Sequence, residues 1–322
     1  MKSPGRLNNY MPKLTANKLI GNWGTLLLPI MHNDEIDYYL LQEEIDYLIS
    51  ARINGIYSNG TAGEFYNVTE YEFDKISELL ATKCRSADIP YQIGVSHMSP
   101  IISLERLKRS KYLDPQAFQV ILPDWIISNS EERVSFLRKM EETAAPTPLV
   151  LYNPPHAKHV LTPLDFKELS DKISGLIGIK VGDGDSNWYA EMRKYSSALS
   201  VFVPGHHLAT GFKENVAAGS YSNIACLSPR GSQEWYELMS KDITEALEIE
   251  KLILQFFYQC ILPFSNSGYC NTALDKFLAA VGGWAQIGTR LRWPYKGIDK
   301  NEIALVRKIG QKILPEFFNL CA

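Results

Sequence analysis

The chain has 322 residues, 45% of them hydrophobic and 21% charged, with a formal net charge of −3. That is the make-up of an ordinary globular protein, and it supplies no field that would gather nucleic acid or an anionic membrane surface. The cysteines Cys84, Cys226, Cys260, Cys270 and Cys321 are scattered without a C-x-x-C pair, which argues for reduced thiols in a cytoplasmic setting and against a disulfide framework or a zinc ribbon.

The segment Met1–Lys18 is polar and carries no apolar h-region, so it does not read as a secretory signal. No later stretch approaches the ~20 apolar residues of a membrane span. From Trp23 the chain alternates between short apolar runs and longer amphipathic ones. The apolar runs are Trp23–Ile30, Gly55–Ser58, Tyr91–Val95, Ala117–Leu122, Leu149–Asn153, Leu176–Lys180, Val201–Val203 and Tyr221–Ala225. Helical spacing falls between them, as in Tyr39–Ile49, Glu70–Leu80, Ser130–Glu142, Pro163–Leu169 and Trp188–Tyr195. Thr69, Ser130 and Thr162 are the expected caps of three of these helices. Eight alternations of strand and helix argue for parallel pairing through helical crossovers. Packed into roughly 200 residues, they favour a closed (β/α)₈ TIM barrel over an open sheet.

After Pro229 the pattern turns helical throughout, in Glu234–Met239, Ile243–Tyr258, Thr272–Val281 and Glu302–Ile313. The expected division is a polar N-terminal extension over 1–20, a catalytic barrel over 21–229, and a C-terminal helical segment over 230–322. With no Gly/Ser-rich linker before it, that segment is expected to pack on the barrel.

Chemistry in such barrels gathers at the C-terminal ends of the strands. Lys180 closes the sixth run, which begins after Gly175 and empties into Gly182-Asp183-Gly184. Alternation along a strand turns Ile177 and Ile179 one way, and Gly178 and Lys180 the other. An inward amine loses hydration, which favours its neutral, nucleophilic form; a lysine that snorkels to the strand end and stays charged fits the same residues. Tyr152 and Asn153 end the fifth run, and Gly60-Thr61-Ala62-Gly63-Glu64 follows the second, so three polar or glycine-rich clusters converge on one face.

Three motifs in this order resemble the dihydrodipicolinate synthase and N-acetylneuraminate lyase superfamily of Schiff-base-forming class I aldolases. They are Gly60-Thr61-Ala62-Gly63-Glu64 against G-T/S-T-G-E, Tyr152-Asn153-x-Pro155, and Gly178-Ile179-Lys180. Pro29, Gly205, Gly219-x-x-Ser222 and Arg290-x-Arg292-x-Pro294 support the match, which spans roughly Gly21 to Gly297. The resemblance implies that Lys180 condenses with the ketone of pyruvate or another small 2-keto acid. It implies that Tyr152 carries protons beside the imine, with Thr61 as a third catalytic group. The Thr61-Ala62 turn is then expected to hold the keto acid's carboxylate on its amides, and Glu64 to serve structure. Gly205, His206, Ser222 and His156 complete the expected substrate site. No cofactor is implied, and the family's habit is a homotetramer, a dimer of dimers.

The sequence also departs from the family. Ala62 stands where the loop motif usually has threonine. Pro123-Asp124-Trp125 replaces the P-Y-Y whose second tyrosine reaches a neighbouring subunit's site. Ala157 stands where true dihydrodipicolinate synthases carry an arginine for the aldehyde's carboxylate, and loss of a bidentate grip is not a conservative change. These differences count against lysine biosynthesis, while Gly63-Glu64-Phe65-Tyr66 and Lys180-Val181-Gly182-Asp183-Gly184-Asp185 look more like the sugar-acid dehydratases and assorted aldolases of the same superfamily. Two other readings stay open: a barrel that keeps only a binding or regulatory role, and a metal-dependent aldolase. The second draws on His32, His97, His156, His159, His206 and His207, all placed near the active face, but no ligand spacing such as H-E-x-x-H supports it.

Overall fold

A computed structural model of the chain describes residues 11–319. Residues 1–10 of the N-terminal extension and Cys321 lie outside them. In chain order the regular elements are β1 (Gly21–Thr25), α1 (Tyr38–Ser50), β2 (Gly55–Ser58), α2 (Glu70–Ala87), β3 (Tyr91–Gly94), α3 (Pro100–Ser110), β4 (Ala117–Ile121), α4 (Ser130–Ala144), β5 (Leu149–Asn153), α5 (Pro163–Lys172), β6 (Leu176–Val181), α6 (Ser186–Tyr195), β7 (Ser200–Phe202), α7 (Leu208–Lys213) and β8 (Ala217–Tyr221). Then come α8 (Asn223–Leu227), α9 (Pro229–Met239), α10 (Ile243–Phe256), α11 (Leu262–Asn266), α12 (Asn271–Gly282), α13 (Ile303–Ile313) and α14 (Pro315–Asn319). The strands pair in parallel in sequence order, and β1 closes on β8. The fold is the expected TIM barrel with C-terminal helices.

Two layers of packing hold it. Between strands and helices, apolar faces such as Leu41, Ile45 and Leu48 of α1 and Phe73, Ile76 and Leu80 of α2 are fully withdrawn from water. Each such side chain stabilises the fold by about 1.5–3 kcal/mol. A second cluster joins Trp23, Tyr57, Ala117, Val150, Phe202 and Tyr221 from six different strands, which only the barrel interior can do. Leu19, from the segment before β1, belongs to it. A Cβ on Gly178 would lie 2.6 Å from the Leu19 side chain, so that glycine leaves room for the plug.

The helix caps follow local chemistry. Thr69 and Thr162 cap α2 and α5 reciprocally with Glu72 and Asp165, as expected. On α4 the cap is Asn129, not Ser130. Its side chain accepts from the Glu132 amide while Glu132 accepts from the Asn129 amide, a match that places Ser130 inside the first turn.

Three strand assignments are corrected. β1 stops at Thr25: the Leu27 amide instead donates to the buried Glu44 carboxyl at 2.7 Å, and Pro29 has no N–H to offer a ladder. β8 is Ala217–Tyr221, whereas Tyr221–Ala225 was expected; Asn223–Leu227 is a helix that Ser222 caps through the Ala225 amide. Small residues dominate β8 because space is short there: a Cβ on Gly219 would lie 2.3 Å from the Gly21 carbonyl. Within β6, Ile179 packs outward as expected, but Ile177 packs against the interior cluster. The register shifts between Leu149 and Val150 opposite, which puts a bulge at Ile177 and breaks the alternation.

The C-terminal elements lie on the barrel's rim. α12 packs along α8, and α10 along α7 and α9. Where a single helix Ile243–Tyr258 was expected, α10 gives way to a π-helical segment, Phe257–Ile261, that leads into α11.

Candidate active site

Lys180 sits one residue before the end of β6, in register with Tyr152 on β5 and Phe202 on β7. Its Nζ donates to the Tyr57 hydroxyl at 3.2 Å and lies 4.2 Å from the centre of the Tyr152 ring. The Tyr221 ring is 5.5 Å away. The amine is therefore enclosed by three phenol rings at the barrel's C-terminal mouth, partly buried and turned inward. Aromatic faces hold a cation and shield it from bulk water.

Burial raises the Tyr57 hydroxyl well above its ordinary range, so it stays a neutral phenol. Burial also raises Tyr152, while Lys180 and a hydrogen bond from the Thr61 side chain pull it back down. Tyr221 is likewise raised by burial and donates to Gln92 Oε1 at 2.7 Å. Sequence reasoning missed Tyr57 and Tyr221, because strand-interior aromatics look like core until the closed barrel brings them together.

The turn after β2 is fixed from below and above. A Cβ on Gly60 would stand 2.0 Å from the Tyr57 hydroxyl, so only glycine lets that phenol reach Lys180. From above, Thr272 on α12 donates to the Thr61 carbonyl at 2.9 Å. Glu64 has a left-handed φ of 53° and is fully buried. Its carboxylate pairs with Lys276 of α12 at 2.9 Å and accepts from the Arg292 amide. This is the structural role expected of it. Burial lowers Lys276, and Glu64 pulls it back up. The amides of Thr61, Ala62 and Gly63 donate to no other described residue, whereas those of Glu64 and Phe65 close the turn onto Thr61 and Gly60. A run of free N–H groups is an anion cradle. The Ala62 side chain itself packs into the outer core and faces no cavity.

Two adjoining cavities open above this floor and share Pro155 and Asn271. One, of about 660 Å³, is lined by Lys180, Tyr152, Tyr221, Gly205, His206 and Asp275, with the Phe257–Ile261 turn as its far wall. The other, of about 640 Å³, holds Thr61, His97, His156, Ala157, His159 and Arg133. The hydrogen bond from Thr61 to Tyr152 joins the two floors.

The expected substrate residues divide accordingly. Gly205 and His206 share the lysine cavity. His206 stacks on Phe257 at 5.0 Å and its Nδ1 meets Asn223 Nδ2 at 2.8 Å. Burial pushes it down to about 4, so it is neutral at physiological pH. His156 is exposed in the other cavity. Ser222 lines neither, its hydroxyl being committed to the α8 cap. His207 approaches Asp183 at 3.5 Å. Among the described residues no three His, Cys, Asp or Glu side chains gather as a metal site would.

Asp275 was not foreseen. Two adjacent charges, Asp275 and Lys276, in the otherwise apolar run Ala273–Val281 are the signal that could have flagged it. Burial pushes its carboxyl up to about 7, against the pull of Lys180.

The departures at β4 and β5 have their own geometry. Trp125 is exposed, and its carbonyl and ring both receive Lys158, whose amide donates to Asp124 at 2.9 Å. Trp125 therefore supplies no phenolic hydroxyl and lies outside both cavities.

The barrel carries a lysine at the mouth end of its sixth strand, a tyrosine beside it and a turn of free amides after its second strand. A sequence model of the Dihydrodipicolinate synthetase family matches residues 18–311. The chain belongs to that family, whose members are lyases of the class I aldolase type. The 4-hydroxy-tetrahydrodipicolinate synthase of Bartonella bacilliformis is 25% identical over 253 residues, 78% of this chain and 85% of that protein. The N-acetylneuraminate lyase of Salmonella paratyphi B is 24% identical over 204 residues, 63% of this chain and 66% of the lyase. Among solved structures, a prophage protein of the dihydrodipicolinic acid synthase family from E. coli K12, in complex with pyruvate, shares the fold. It has a TM-score of 0.80 at 20% identity, over 92% of this chain and 98% of its own.

Proposed function

We propose that the chain is a Schiff-base-forming lyase in which Lys180 condenses with pyruvate or another small 2-keto acid, and that it is not a dihydrodipicolinate synthase. The observation that carries this reading is the Lys180 amine, held 3.2 Å from Tyr57 Oη and over the Tyr152 ring at the strand-end mouth of the barrel. The neutral amine attacks the ketone. The carbinolamine loses water, and the resulting iminium withdraws electrons from the neighbouring carbon as a C–C bond breaks or a proton leaves. Tyr152 carries protons beside it in this reading, which its hydrogen bond from Thr61 supports. The free Thr61–Gly63 amides suit the keto acid's carboxylate. That a similar protein was solved with pyruvate bound supports the choice of substrate.

Against a dihydrodipicolinate synthase stand Trp125, exposed and away from the cavities, and Ala157, which offers no guanidinium to a second carboxylate. The exposed apolar side chains Met98, Ile101, Trp125, Ile126 and Ile127 favour a homo-oligomer. The buried free thiols Cys84, Cys226 and Cys260 fit a reducing cytoplasm. Among the described residues no helix is long and apolar enough to cross a membrane.

Borohydride reduction in the presence of a panel of keto acids, read by intact mass, tests the proposal. One reduced adduct should form on Lys180 and vanish in Lys180→Ala. A folded wild-type protein that gives no adduct with any of them would overturn the reading. A robust rate of pyruvate condensation with aspartate semialdehyde would overturn its second half.

A further inference from the structure

Asp275 has no part in the chemistry set out above, yet it is the one acidic side chain among the described residues that line the Lys180 cavity. It is partly buried on α12, and the charged group that acts on it is Lys180. Its own charge is felt by Tyr152 on β5, Tyr57 on β2 and Cys226 on α8. Tyr221 on β8, the neutral His206 and its neighbour His207 after β7, and Tyr258 of the π-helical segment are the other titratable side chains lining the cavity. No hydrogen bond or ion pair to a described side chain engages its carboxyl. A carboxyl turned into a partly desolvated cavity and left without a side-chain partner is favoured when it stays protonated or finds a cation. This cavity offers both states, because burial keeps the proton on up to about pH 7 and Lys180 faces it.

Resting on the Schiff-base reading, we propose that Asp275 is the acid that expels water from the Lys180 carbinolamine and the base that returns it. In the forward step the carboxylic acid gives its proton to the carbinolamine hydroxyl, the C–O bond breaks, and water leaves. The nitrogen lone pair then forms the C=N bond. The products are an iminium cation, water and the Asp275 carboxylate, so charge is conserved and the new cation has an anion in the same cavity. In the reverse step the carboxylate takes a proton from the water that attacks the iminium carbon. Trp125 stands where the family's relay tyrosine would be, and Asp275 supplies a donor from helix α12.

The test is the single-turnover rate of adduct formation with pyruvate in the full-length protein, quenched with borohydride and read by intact mass from pH 5.5 to 8.5. In the wild type the rate should fall as pH rises through about 7. Asp275→Asn should slow it ~10²-fold or more and remove that fall. Asp275→Glu, which restores the acid, should recover both in part and provides the comparison if the asparagine variant folds poorly. Tyr152→Phe should be slower at every pH yet keep the inflection. A role confined to packing would change the final extent of labelling and leave the profile in place. An asparagine variant within threefold of wild type, or an inflection that survives in it, overturns the assignment of Asp275 alone. A wild type that forms no adduct overturns the Schiff-base reading and this assignment with it.

Discussion

Replacing Glu64 with glutamine would strand the Lys276 ammonium in the interior, and Lys276→Met would strand the Glu64 carboxylate. The two side chains are 2% and 0% exposed, with their charged atoms 2.9 Å apart. Removing one partner of such a pair costs about 3–5 kcal/mol, because the survivor keeps its desolvation penalty without its counter-charge. Each single change also loosens the loop above, since Glu64 accepts from the Arg292 amide and Lys276 donates to the Arg290 carbonyl. The double variant Glu64→Gln/Lys276→Met removes both charges together. It should be more stable than either single variant predicts, with a coupling energy of ~2–3 kcal/mol. Urea midpoints at pH 7, followed by tryptophan fluorescence with m held constant, supply all four corners of the cycle. Single variants that each cost under about 1 kcal/mol, or strictly additive effects, would mean that water reaches the pair and that it behaves as a surface contact.

Tyr152→Phe keeps the ring and its packing, so stability should fall by no more than ~1–2 kcal/mol, while kcat on the trapped keto acid should drop 10²–10⁴-fold, as for other acid–base groups; a loss under about threefold would move the proton carrier elsewhere. Asp275 also sets a pH slope on stability. Its carboxyl rises from 3.8 unfolded to about 7 folded, so the folded state binds the extra proton between those values. The associated stability is full below pH ~4 and lost as pH climbs through 7. Asp275→Asn removes that slope, and its stability relative to wild type should improve between pH 4 and pH 8 by up to about 4 kcal/mol, reduced by the solvent that reaches this partly exposed carboxyl. Denaturant midpoints at the two pH values check this, and an unchanged difference would refute it.

The barrel was legible because parallel strands covered on both faces are written as unbroken apolar runs, and six of the eight lie close to where they were read. The two that moved did so for physical reasons. β8 is built from Ala217, Ala218, Gly219 and Ser220, whose small side chains leave no apolar trace, while the apolar Ile224–Leu227 stretch beside it is helix. β1 ends early because a buried carboxyl, 17 residues on, takes the Leu27 amide. Within the candidate site, Lys180, Tyr152 and Thr61 are singled out by their order along the chain, and the structure brings all three side chains together. Ser222 and Ala62 share those motifs but turn their side chains to a helix cap and to the core. Tyr57 and Tyr221 were invisible because each gains its meaning only from a partner more than forty residues away, whereas Asp275 left one trace, a charged pair in an apolar run.

The anchoring of the Gly60–Glu64 turn by α12 fixes when the mouth of the barrel first takes its final form. The chain is made from its N-terminus, and domains fold as they emerge at about 5–20 residues per second. All eight strands exist once Tyr221 has left the ribosome, yet Thr61 then lacks Thr272, and Glu64 lacks both Lys276 and the Arg292 amide. For several seconds the nascent barrel carries its lysine beneath an unfinished roof. The three phenol rings around the amine are already in the chain by then, but the turn beside them is tied down only once Arg292 has emerged, so a ribosome that stalls before it leaves a barrel whose β2 turn is unanchored.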